Sequence, residues 1–163
     1  GGCAVNKSCT NKKYDGEAEV KYSYTQTELE TAIKSGEFVL HQTGDEIRIL
    51  TDINSLTTLN DEKGEIFQSN QSIRVMDQIA NDIAAIFNSR YIGAMANSIS
   101  GRNALWLDIV KHHEELQKIG AIENFSESDV IVTEGDTKKS VVVTDTVTIV
   151  NAMEQLYMTV TVQ

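Results

Sequence analysis

The chain has 163 residues, room for one domain of ordinary size and too few for two large ones. Hydrophobic residues make up 40 % and charged residues 23 %, which excludes a disordered chain. The formal charge of −10, from 24 acidic and 14 basic side chains, opposes a phosphate backbone, so no nucleic-acid partner is expected.

No apolar run reaches the ~20 residues of a bilayer span and no signal series opens the chain, so it reads as soluble, with no membrane partner and no general export. It begins Gly1-Gly2-Cys3 rather than with Met, which suggests a fragment or a processed product. Residues 1–18 are polar and aperiodic, and are expected to be a tail or the remnant of a missing N-terminal region. Cys3 and Cys9 lack the second Cys pair or nearby His of a zinc site, and read as incidental thiols or a local disulfide. The main domain is expected over residues 19–163. Val20, Tyr22 and Tyr24 alternate with Lys21 and Ser23, the period of a half-buried strand. Thr27-Glu28-Leu29-Glu30 fits a capping box for a short helix ending at Ser35, with Gly36 as its left-handed stop. Phe38-Val39-Leu40-His41 and Ile47-Arg48-Ile49-Leu50 flank Thr43-Gly44-Asp45 and predict a hairpin.

From Ser69, apolar Ile73, Met76, Ala80, Ile83 and Phe87 recur at steps of three and four and form one helical stripe. A second long helix follows Ser100, with Leu105, Ile109, His112 or His113, Leu116 and Ile119 on one side and Gly120 as its end. Beyond an acidic loop near 127–129, β-branched runs at Val130–Thr133, Val141–Val143 and Val147–Val150 predict strands, with Glu134-Gly135-Asp136 as a turn. Leu156, Met158, Val160 and Val162 then alternate with Tyr157, Thr159, Thr161 and Gln163 to the last residue. Such a strand either pairs inside its own sheet, against residues 141–150, or completes a sheet in another molecule. The expected fold class is α+β. A mixed sheet drawn from the 38–51 hairpin and the strands after Val130 lies under the two long helices, and an extended C-terminal strand arm begins at about 151. Trp106, Ile79, Ile83, Phe87, Ile109 and Leu116 are expected to be mostly buried.

No catalytic or metal motif stands out. His112-His113-Glu114-Glu115 lacks the spacing of a metal box, because adjacent helical residues point about 100° apart; it reads as a solvated face with one His near the core boundary. His41 reads as a structural histidine in a strand. No Gly-rich phosphate loop, nucleophile elbow or calcium loop occurs. The carboxylates of Asp45-Glu46 and Asp61-Glu62-Lys63-Gly64 read as turn residues and solubilising charge. Neither an enzyme nor a resident cofactor is expected.

Several stretches, in order over residues 14–163, carry a resemblance. They are Thr25-Gln26-Thr27-Glu28-Leu29, Phe38-Val39-Leu40-His41, Arg48 through Thr57, Ile73-Arg74-Val75-Met76-Asp77, Asn81-Asp82-Ile83, Gly101-Arg102, Ile122-Glu123-Asn124-Phe125 and Asn151 through Val160. Together they resemble the C-terminal half of contractile tail sheath proteins of phages, defective prophages and phage-tail-like bacteriocins of Gram-positive bacteria. The resemblance implies a structural subunit that forms stacked six-fold rings around an inner tail tube and contracts to drive the tube through a target envelope. It implies partners in other copies of the subunit, the tube protein, and baseplate and terminator proteins. Assembly would take place in the host cytoplasm, within a particle later released. It also implies that terminal arms add strands to neighbouring C-terminal domains. Here Leu156, Tyr157, Met158, Thr159, Val160, Thr161 and Val162 would be the arm, and Asn151, Ala152, Met153, Glu154 and Gln155 the connector that reorients. Lys111 and Lys118, seven residues apart on one helix face, are the candidates for contact with the tube. The alternative function is a monomeric binding domain that accepts a peptide strand at an open sheet edge.

Overall fold

The structure is a computed structural model that describes residues 3–20, 22–61 and 63–162. Its contacts divide the chain into two units, one made of the residues up to Ile73 together with those from Asn151, the other of Arg74–Val150.

In the first unit, helix α1 spans Gln26–Lys34 and is capped by Thr25, whose side chain accepts from the amide of Glu28 while the Glu28 carboxylate accepts from the Thr25 amide. The capping box therefore forms two residues earlier than expected at Thr27. Both Thr-x-x-Glu triplets satisfy the local rule, so the pattern alone was degenerate. Gly36, at φ +70°, supplies the left-handed stop. Strands β1 (Leu40–Thr43) and β2 (Glu46–Ile49) form the expected antiparallel hairpin, with Leu40 opposite Ile49 and Thr43 opposite Glu46.

Residues 9–14, within the stretch expected to be a loose tail, instead run along β2. The amide of Asn11 donates to Ile49 O at 2.8 Å, Ile49 N to Lys12 O at 3.0 Å and Tyr14 N to Ile47 O at 2.8 Å. Buried Asp52 fixes the start of this stretch by accepting from the Cys9 amide, and donates its own amide to Thr10 Oγ1. Backbone groups alone make this edge, so a polar side-chain pattern does not reveal it. Cys3 and Cys9 are free thiols. Val20, Tyr22 and Tyr24 join no ladder despite their alternation. Lys21, between them, lies outside the described residues, as do Glu62 of the expected 61–64 turn and Gln163 at the chain end.

Helix α2 (Asn70–Arg90) begins in the first unit and continues in the second. Its buried side is set by Ser72, Val75 and Ile79, with Ile83, Ile86 and Phe87 half-buried, while Ala80 is exposed. The periodicity is as expected, but the N-terminal part of the stripe is displaced by one residue. Helix α3 (Ile99–Lys118) is capped by Ser98, whose Oγ accepts from the Gly101 amide at 3.2 Å. Gly101 is buried, and a Cβ there would run into the Ala96 carbonyl oxygen, so the close start of α3 requires glycine. Leu105, Ile109, Val110, His113 and Leu116 form its buried face.

Four strands follow: β3 (Ile122–Glu123), β4 (Val130–Glu134), β5 (Val141–Asp145) and β6 (Thr148–Ile149). The fold is α+β, as expected, but no single mixed sheet spans it. The ladders among the described residues are three antiparallel pairs, β1–β2, β3–β6 and β4–β5. In the second unit α3 lies against β4, and Leu105, Ile109, Val110, Tyr91 and Val130 form its core. Ile79, Ile109 and Leu116 are buried as expected. Trp106, Ile83 and Phe87 are only half-buried, because they sit at the rim of that core.

Candidate assembly surface

Two complementary features stand out: a strand with an open edge, and a chain end without a ladder. In the β4–β5 pair, Thr146 N donates to Asp129 O at 3.1 Å and Gly135 N to Ser140 O at 2.9 Å. With the register Ile131 opposite Thr144 and Thr133 opposite Val142, alternation turns these residues' N–H and C=O groups toward each other. Val141, Val143 and Asp145 consequently turn theirs outward, along an edge that no described strand pairs. Beside it runs an open groove of about 440 Å³ lined by Ile83, Ala84, Phe87, Leu105, Val141 and Val143.

The other edge of the pair is partly occupied. At Val130 the amide donates to Glu127 O, and the carbonyl accepts from Trp106 Nε1 at 3.0 Å. One of the outward positions of β4 is thereby used within the domain. Trp106 was expected only as a core residue; its ring flanks β4 and its N–H caps the strand.

Residues 151–162 are exposed and join no ladder with residues 141–150 or with any other described segment. Leu156 is 85 % exposed, Met158 75 %, Val160 72 % and Val162 89 %. Tyr157 at 88 % is equally open, so neither side of the alternating sequence is covered. The preceding residues are held. Asn151 Oδ1 accepts from Ser72 Oγ at 2.9 Å, the Ala152 amide donates to Gln71 Oε1 at 3.0 Å, and the Glu154 carboxylate accepts from Ser8 Oγ and Thr51 Oγ1. Gln71 and Ser72 are themselves buried. Sequence reasoning missed this anchorage, for which the only signal was two polar residues at the start of an otherwise apolar helical stripe.

Lys111 and Lys118 are both exposed on α3, and Lys118 Nζ lies 3.6 Å from Glu115 Oε1. The His pair departs from expectation. His113 is wholly buried, its Nε2 lies 2.7 Å from Asp145 Oδ2, its Nδ1 3.2 Å from His112 Nδ1, and His112 Nε2 2.9 Å from Asp82 Oδ2. The two rings diverge as helical neighbours do, yet their inner nitrogens meet while their outer ones reach β5 and α2. Burial pushes the Asp82 carboxyl up, but hydrogen bonds from Gln78 and His112 outweigh it and hold it below the usual range. Burial, and then the hydrogen bond to Asp108, push the Tyr91 phenol up to about 12.

None of these groups makes a nucleophile, base and orienting set, and no cluster of three metal-ligating side chains occurs among the described residues. No described helix is long and apolar enough to cross a membrane.

Comparison with known proteins gives this surface its context. Residues 62–163 match the phage tail sheath C-terminal domain and residues 1–55 the phage tail sheath central domain. The tail sheath protein of Clostridium phage phiCD119 is 31 % identical over 108 residues, 66 % of this chain and 30 % of that protein. The sheath tail protein Lin1278 of Listeria innocua superposes with a TM-score of 0.83 at 28 % identity, over 96 % of this chain and 38 % of that one. The helical sheath of the anti-feeding prophage in its contracted state shares the fold, with a TM-score of 0.75 at 17 % identity over 96 % of this chain and 45 % of that one. The chain spans between 30 and 37 % of the length of the curated relatives it matches. These relatives are structural proteins, not enzymes, and with a C-terminal-domain match over residues 62–163 the chain belongs to the phage tail sheath family.

Proposed function

We propose that this chain is the central-to-C-terminal part of a contractile sheath subunit, and that its copies are joined by residues 156–162 of one copy adding as a strand to β5 of another. The observation that carries the reading is the coexistence of an unladdered apolar chain end with an open strand edge beside an apolar groove. An edge of outward N–H and C=O groups at Val141, Val143 and Asp145 offers up to six backbone hydrogen bonds, each contributing about 0.5–1.5 kcal/mol. A single exchange is therefore reversible, and a lattice of linked exchanges reinforces itself through effective concentration.

In this reading the subunits form stacked six-fold rings around an inner tube, between a baseplate and a terminator, and shorten to drive the tube through a target envelope. Assembly takes place in the host cytoplasm before the particle is released. Lys111 and Lys118 face the tube, and the connector 151–155 sets the direction of the arm. Electron microscopy of the full-length product tests the reading: striated tubes are expected, and discrete monomers would overturn it in favour of a strand-accepting binding domain. Charge reversal at Lys111 and Lys118 should abolish sheath formation on tubes while leaving the unfolding transition unchanged; unaltered assembly removes the tube-facing assignment.

A further inference from the structure

The file Asp82–His112–His113–Asp145 poses a counting problem. Three contacts run along it, and each needs one proton between its two heavy atoms. An ionised carboxylate only accepts, so both Nε2 atoms must donate to Asp82 and Asp145. A neutral imidazole carries a single N–H. Two neutral rings would then face each other with bare Nδ1 lone pairs 3.2 Å apart, in a site where His113 has no solvent contact.

We propose that the folded domain takes up one additional proton here, shared between the two Nδ1 atoms, so that three of the four ring nitrogens are protonated and the pair fastens α2 and β5 to α3. A carboxylate at each end of the file stabilises the resulting imidazolium. The groups facing the rings are Asp82 from α2, Asp145 from β5 and the uncharged ring of Phe125, 5.1 Å from His113 between centroids. On α3 itself, Lys111, Glu114 and Glu115 flank the pair in sequence and are exposed. No other described charged side chain pairs with either ring. The inference concerns the domain alone and stands whether or not β5 accepts a strand.

The folded state then holds more protons than the unfolded chain above about pH 6.5, where free histidine is neutral. Its stability must fall as the pH rises through that range. The test is urea unfolding of the full chain at pH 6 and pH 9, beside His112→Gln, whose amide can donate to His113 Nδ1 without an added proton. The midpoint of the unmodified chain should drop at pH 9, and that drop should be at least halved in the variant; equal drops overturn the proposal. Nitrogen-15 spectra of the unmodified chain at neutral pH decide independently, even if the variant fails to fold. Three protonated ring nitrogens of the four in this pair are expected, and two would refute it.

Discussion

Removal of residues 156–163 separates a chain end that serves other molecules from one that holds its own fold. The exposed fractions of Leu156, Tyr157, Met158, Val160 and Val162 leave, taken together, less than one side chain's worth of cover. At about 1.5–3 kcal/mol per fully buried side chain, the gross loss on deletion is below about 3 kcal/mol, and relief from ordering the segment, ~1–2 kcal/mol per residue when fixed, opposes it. The net change expected is within about 1 kcal/mol. An internal strand burying Leu156, Met158, Val160 and Val162 would instead forfeit about 6–12 kcal/mol gross, more than most domains of this size have in reserve. Urea unfolding followed by far-ultraviolet circular dichroism and by fluorescence of Trp106, the single tryptophan, measures the difference. The truncated chain should keep its midpoint and its steepness. A loss beyond about 3 kcal/mol, or of the cooperative transition itself, would refute the reasoning.

Three further outcomes follow from the packing. Ile109 has no solvent exposure, so Ile109→Ala should lower unfolding stability by about 2–5 kcal/mol in the same titration. Thr25→Ala should weaken the domain by about 1 kcal/mol through loss of the cap, whereas Thr27→Ala, at a position whose recorded bond uses only its backbone carbonyl, should change it by less than about 0.5 kcal/mol. For Tyr91, with its phenol held at about 12, the folded value is raised. The contribution of its bond to Asp108 is therefore complete below about pH 10 and is lost as the pH climbs toward 12. Ultraviolet titration should show a late phenolate step that Tyr91→Phe removes.

Much of the fold was legible where side-chain chemistry and geometry share a period. Leu105, Ile109 and Leu116 mark the inner face of α3 because packing needs that spacing, and Gly44 and Gly120 punctuate where the backbone takes a positive φ. The rest depends on contacts that side-chain identity does not encode. Residues 9–14 pair through amides, so their polar composition said nothing of it. Strand β3 is two residues long and exists because β6 lies beside it. Val20, Tyr22 and Tyr24 alternate as a strand would, yet no partner reaches them. The assembly surface divides the same way: the alternation after Leu156 was visible, while the outward phase of β5 depends on which strand occupies its other side. The His pair was legible as a doublet, but its link to Asp82 and Asp145 arises from two elements 30 and 32 residues away.

The bonds from Ser72, Gln71, Ser8 and Thr51 to Asn151, Ala152 and Glu154 make a mooring point, and a tether can be no longer than the chain beyond it. Eight residues, 155–162, follow Glu154 within the described chain; fully extended at roughly 3.3 Å each they span about 26 Å. For these residues to lie along a neighbour's β5, that strand must stay within this radius of Glu154 through any rearrangement of the copies. Subunits so tethered can rotate and slide past one another, but they cannot separate further than the tether allows without first giving up its hydrogen bonds.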